Sequence, residues 1–131
     1  MLAGKFVDKQ SPPQNNSIGF SPHPSFHHLL SNLVWLRPTH IFQGDFHLFN
    51  SIHPNQIKQG SLGVCYIHAT ISSLSQNPQI IKQLFVFADL EVGFYVLRFY
   101  ISGLPKYIAI DDLIPCNNIT NLPIFAKPIG N

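Results

Sequence analysis

In the stretch KQGSLGVCYIHATISSL, residues 58–74, a glutamine stands six positions before a cysteine, with Gly60 and Gly63 between them and an apolar run behind. A thiol attacks only as its thiolate, so a nucleophilic Cys65 needs surroundings that favour negative charge. The start of a helix supplies part of this, through unpaired backbone amides and the helix dipole. The same amides can hold an oxyanion. Gln59 can add a side-chain N–H donor across the turn, and one such donor contributes about 3–4 kcal/mol to the transition state. Gly60 and Gly63 let the backbone approach a substrate carbonyl closely. The spacing describes equally well a buried thiol at the start of an ordinary helix, since most cysteines behave as small hydrophobes.

Other residues invite chemistry and carry less of it. His23 and His27 are four apart, with His28 adjacent, but Pro22 and Pro24 argue against the helix that would align them as zinc ligands. His68 lies one helical turn after Cys65 and shares its face. A general base must reach both the thiol and the leaving group, so a half-buried helix histidine is the simpler reading. Asp111 and Asp112 form a carboxylate pair that reads as local capping or pairing at a strand end. Trp35 and Arg37 read as packing and as an ion-pair anchor.

The elements that must position these residues follow from periodicity. Ile67, Ile71 and Leu74 recur at one-face spacing, which predicts a helix starting near Ser61–Cys65 and ending near Ser75. Asn77-Pro78 ends it and opens a second helix over Pro78–Leu84, with Asn77 as cap and Pro78 at the first helical position. Residues 93–101 alternate as a strand, with Tyr95, Leu97, Phe99 and Ile101 facing the core. A turn holding Gly103 and Pro105 leads to a returning strand over 106–111, making a hairpin. WLRPTHIF is extended before Pro38. Residues 43–57, with a turn at His53-Pro54-Asn55, and the chain beyond Pro115 read as loop. Residues 1–33, rich in Pro, Asn and Ser without periodicity, read as a disordered low-complexity segment, and 34–131 as the folded part.

The chain has 131 residues, 45% hydrophobic and 11% charged, against about a quarter charged in most soluble domains. Its net charge of +2 is spread along the sequence, and no basic stripe points to nucleic acid. No charged-then-apolar leader opens it, and LFVFADLEVGFYVL is broken by Asp89 and Glu91 before it could span a bilayer. Two cysteines make no secreted framework, so a cytoplasmic, reducing setting is expected.

The residues 59–74 also resemble the active-site segment of calpains, calcium-dependent papain-like cysteine endopeptidases, which reads Q-G-x-L-G-D-C-W-x-x-A-A-x-x-S-L. Gln59, Gly60, Leu62, Gly63, Cys65, Ala69, Ser73 and Leu74 match in register. WLRPTHI resembles the family's W-x-R-P-x-E-I upstream. GFYVLRFYISGLPKYIAIDDLIP resembles its hairpin and the turn that follows, at Asp111, Asp112 and Pro115. The three blocks come in the family's order and cover about residues 34–126.

The resemblance implies an α+β fold, the first lobe of a papain-like cysteine protease built of helices and a small antiparallel hairpin, and incomplete. It implies Cys65 as nucleophile, with Gln59 and the Cys65 backbone amide holding the oxyanion, and peptides or proteins as substrates. In papain-like enzymes the activating His and its orienting Asn follow about 130–150 residues after the Cys. Here His68 is the only histidine after Cys65, and the sequence given runs 66 residues further. A second lobe, or another calpain-like chain, is therefore the expected partner. Departures accompany the likeness: Val64 replaces Asp, Tyr66 replaces Trp, and His68 takes an apolar position. The family's calcium expectation is weakened by Gln56, which replaces an acidic residue nine positions before the cysteine; calcium prefers several carboxylate oxygens. These departures carry the alternative reading, a non-catalytic interaction or regulatory module.

Overall fold

The computed structural model describes residues 4–19, 24–42, 44, 47–60 and 65–128. It is an α+β chain. In order it forms helix α1 (Pro24–Ser31), strand β1 (Leu33–Leu36), helix α2 (Pro38–Ile41), a 3-10 turn at Pro54–Gln56, strand β2 (Ile57–Gln59), helices α3 (Cys65–Leu74) and α4 (Pro78–Leu84), and strands β3 (Phe85–Asp89), β4 (Phe94–Ile101), β5 (Leu104–Asp111), β6 (Ile114–Asn117) and β7 (Ala126–Pro128). All pairing is antiparallel: β1 with β6, β2 with β7, and β3-β4-β5 in one sheet. No helix among the described residues is long and apolar enough to cross a membrane.

Local chemistry accounts for the helix boundaries. The Asn77 side chain accepts a hydrogen bond from Gln79 N at 3.2 Å, and Pro78, with no N–H to lose, takes the first helical position. Contrary to the expectation from Pro22 and Pro24, α1 forms, and Pro24 is its first residue. A proline is tolerated there for the same reason. Of the histidine triplet, His27 and His28 lie on α1, and His23 lies outside the described residues.

The sheet β3-β4-β5 is built on aromatic rings at its base. Phe85 meets Tyr95 at 6.5 Å and Phe49 at 5.2 Å on one face; Phe94 meets Phe6 at 4.6 Å and Phe87 at 5.8 Å on the other. Strand β3 has no alternation to announce it, and a register shift between Phe85 and Phe87 explains part of that. Because β3 accompanies β4 only from Phe94 to Leu97, the expected core face is buried only at that end. Tyr95 is buried, whereas Phe99 and Ile101 are exposed.

Two further corrections concern segments read as loop. Strand β6 covers β1, with Trp35 opposite Pro115, and β7 covers β2, with Gln59 opposite Ala126. Both strands are short and proline-rich, so no period could show. Residues 4–10, read as disordered, are tied down: Phe6 N donates to Val92 O at 2.8 Å, Asp8 N to Asp111 Oδ2 at 2.8 Å, and Arg37 Nη2 to Phe6 O at 2.8 Å. These bonds hold the segment's backbone to groups at long sequence distance, which local composition cannot reveal.

Candidate active site

Gln59 closes β2, and Cys65 is the first residue of α3. The turn between them, Ser61–Val64, lies outside the described residues, as does the substituted position Val64. Helix α3 packs beside β2, the Pro54–Gln56 turn and α4. Ser72 Oγ donates to Pro54 O at 3.4 Å across this contact.

The entrance to the turn is fixed at Gly60. Its N–H donates to Phe125 O at 2.8 Å. A Cβ there would overlap the carbonyl oxygen of Ile124 and lie 3.1 Å from the carbonyl carbon of Phe125. The missing side chain therefore serves close packing against residues 124–125, a role the sequence reading assigned to a substrate carbonyl. Ile124, itself buried, donates its N–H to Pro115 O at 3.1 Å. A continuous track of backbone bonds thus runs from Gln59 through β7 to β6 and β1.

The two cysteines separate sharply. Cys65 is exposed and free. Cys116 is free and 0% exposed, its Sγ donating to Ile114 O at 3.4 Å, and burial pushes its thiol above the ordinary value. A thiol held protonated and out of solvent neither attacks nor exchanges. Of the pair, only Cys65 is open to solvent. His68 is half-buried on α3, one turn along.

The described residues 47–60 offer a calcium ion no carboxylate. The Gln56 side-chain amide donates to Ser51 Oγ, and residues 51–59 hold no carboxylate. Among the described residues no three His, Cys, Asp or Glu side chains gather as a metal site. Asp111 and Asp112 are committed elsewhere. Asp111 accepts from Asp8 N and Leu113 N, and Asp112 pairs with the largely buried Arg37 guanidinium, which confirms Arg37 as an ion-pair anchor. Sequence reading missed Gly93, which completes this knot. Its φ is +73°, and a Cβ there would lie 2.5 Å from Asp112 Oδ1 and 2.7 Å from Arg37 Nη1. The signal available was a single glycine before the strand.

The chain matches the family described as calpain family cysteine protease over residues 6–129. The match reaches upstream of residue 34, to the Phe6–Asp8 segment that the fold ties down. Calpain-5 of Caenorhabditis elegans is 33% identical over 119 residues, covering 84% of this chain and 17% of that protein. The Calpain-1 catalytic subunit of Mus musculus is 30% identical over 117 residues, covering 84% of this chain and 16% of its own. Calpain-A of Drosophila melanogaster is 27% identical over 117 residues, covering 86% and 14%. The chain thus spans less than a fifth of the length of these curated relatives.

Proposed function

The chain belongs to the calpain family of cysteine proteases, and on that premise we propose that Cys65 is the nucleophile of a cysteine endopeptidase site and Gln59 its oxyanion donor. The observation that supports this best is the contrast between an exposed Cys65 at the start of α3 and a Gln59 anchored on β2 six residues earlier. In the complete reaction the thiolate adds to a peptide carbonyl, forming the S–C bond. The Gln59 amide and the Cys65 backbone N–H hold the resulting oxyanion. Collapse breaks the C–N bond, the amine leaves with a proton, and water hydrolyses the thioester.

A base that delivers this proton has to reach thiol and leaving group together. His68, fixed on the helix that carries the thiol, does not meet that need. The 131 residues therefore have no turnover of their own, and protein substrates are cut only when the family's His and Asn are supplied from outside these residues. Calcium has no role at Gln56 in this reading.

A peptidyl aldehyde, whose adduct with a thiol is a tetrahedral oxyanion, tests the assignment. Haloacetamide alkylates Cys65 equally in the native chain and in Gln59→Ala. The aldehyde adduct weakens about 100-fold in Gln59→Ala, the loss typical of one oxyanion donor. Equal aldehyde affinity in the two proteins removes Gln59 from the site. Peptide hydrolysis with added calcium stays at the level of Cys65→Ala; a Cys65-dependent rate overturns the absence of turnover.

A further inference from the structure

Between Glu91 and Asp111 the sequence has no acidic residue and two cations, Arg98 and Lys106. This stretch forms the β4–β5 hairpin. Its two-residue turn places Ser102 at φ 52° and Gly103 at φ 78°, the primed geometry whose twist matches that of the strands. The hairpin is thus a stiff finger, and beyond Leu97 its strands pair only with each other. At the apex Ile101 and Leu104 pair directly and are 56% and 71% exposed. Protruding strand tips in soluble proteins usually carry charge or polar groups, and this one carries branched aliphatics.

Just behind the apex the composition changes. Tyr100 and Tyr107 are 63% and 57% exposed, Lys106 is exposed, and the Arg98 guanidinium lies 5.7 Å from the centre of the Tyr100 ring. Acidic residues gather at the opposite end of the sheet, at Asp89, Glu91, Asp111 and Asp112. The exposed apolar surface of the apex continues behind it at Phe99 and Ile108, each 39% exposed, with the tyrosines, Lys106 and the half-buried Arg98 set among them and the acidic residues at the base.

We propose that this hairpin tip docks into the surface of an anionic lipid bilayer. At about 3.3 Å per residue, Lys106 and Arg98 stand two and three residues behind the apex, roughly 7–10 Å. That matches the 5–10 Å or so to which apolar faces sink at the headgroup boundary. Tyrosines favour that boundary, where the ring is buried and the hydroxyl stays wet. Long cationic side chains reach headgroup phosphates from the same depth. A second copy of the chain fits the tip less well, because tip-to-tip contact sets cations against cations with no carboxylate between them. This inference is independent of the assignment of Cys65.

The test is co-sedimentation of the full 131-residue protein with vesicles of phosphatidylserine and phosphatidylcholine in equal parts, and with phosphatidylcholine alone. Binding is expected to the anionic vesicles and to fall at least tenfold in Ile101→Ser. Lys106→Gln is expected to lose about fivefold, the weight of one cation near an anionic surface. Lys106 is exposed, so this variant decides the question even where Ile101→Ser fails to fold. Equal binding to both vesicle types overturns the proposal, as does binding unchanged in Lys106→Gln. So does light scattering that shows self-association, lost in Ile101→Ser, without vesicle binding.

Discussion

The base of the β3-β4-β5 sheet and helix α3 are held in opposite ways. At the base, the Arg37–Asp112 pair, Gly93, Tyr95 and the Phe6–Asp8 strap close on one another from four distant parts of the sequence. Asp112 and Tyr95 are buried there. Helix α3, which carries the proposed nucleophile, has no fully buried residue, and Tyr66 is 70% exposed. The scaffold is thus self-sufficient around a structural ion pair. The helix that carries the proposed nucleophile draws little of its stability from the other described residues. Buried apolar area and satisfied charges fix the first; a few contacts to β2, the Pro54–Gln56 turn and α4 hold the second.

Substitutions can break or sharpen that contrast. The largest effect is expected from Asp112→Ala, which leaves the largely buried Arg37 guanidinium without its counter-ion and with only the Phe6 carbonyl as partner, at a cost of up to about 3–5 kcal/mol. Denaturant titration measures it; a loss under about 1 kcal/mol would mean the knot is not what holds the sheet. Gly60→Ala comes next, at roughly 1–3 kcal/mol, because its Cβ has no room beside the Ile124 carbonyl. If Gly60→Ala also slows aldehyde capture at Cys65, the two regions communicate through β7.

Alkaline pH gives a smaller, graded effect. Burial pushes the Cys116 thiol above 9.0 and the Tyr95 hydroxyl above 10.0; Asp112 and Asp89 add to the second shift and Arg37 opposes it. Both groups stay protonated in the folded chain while the unfolded chain ionises them. The contribution of these two groups is therefore level below about pH 9 and falls as pH rises above it. Cys116→Ala should remove the part of this fall that begins near pH 9, measured as unfolding midpoint against pH. The smallest effect is expected from Cys65→Ala, within about 0.5 kcal/mol because the side chain is exposed. The same substitution abolishes thiol labelling of the folded protein, while Cys116 is labelled only on unfolding. Labelling of Cys116 in the native chain would contradict its burial.

Much of this was legible before the fold. Helix α4 with its Asn77 cap and Pro78 start, the body of α3, and the paired strands β4 and β5 follow from caps, periods and a Gly turn, all set within a few residues. So did Arg37 as an anchor, since an arginine beside a proline in an apolar stretch needs a partner. Strands β2, β3, β6 and β7 were not legible, because three are short and β3 is irregular, and their pairing partners lie far along the chain. The Phe6–Asp8 strap was hidden for the same reason.

What the sequence determined by itself is the chemistry on offer: a thiol six residues after an amide, on a helix whose start the residues mark, within three ordered blocks of the calpain family. Only the tertiary structure decided which cysteine is available and which glycine is indispensable. Cys65 and Cys116 have the same side chain, and burial puts the second out of reach of solvent. Gly60 and Gly93 each owe their necessity to atoms far away in sequence, Ile124 in one case and Arg37 with Asp112 in the other. Residue type fixes what a group can do; contacts made at long sequence distance fix whether it is placed to do it.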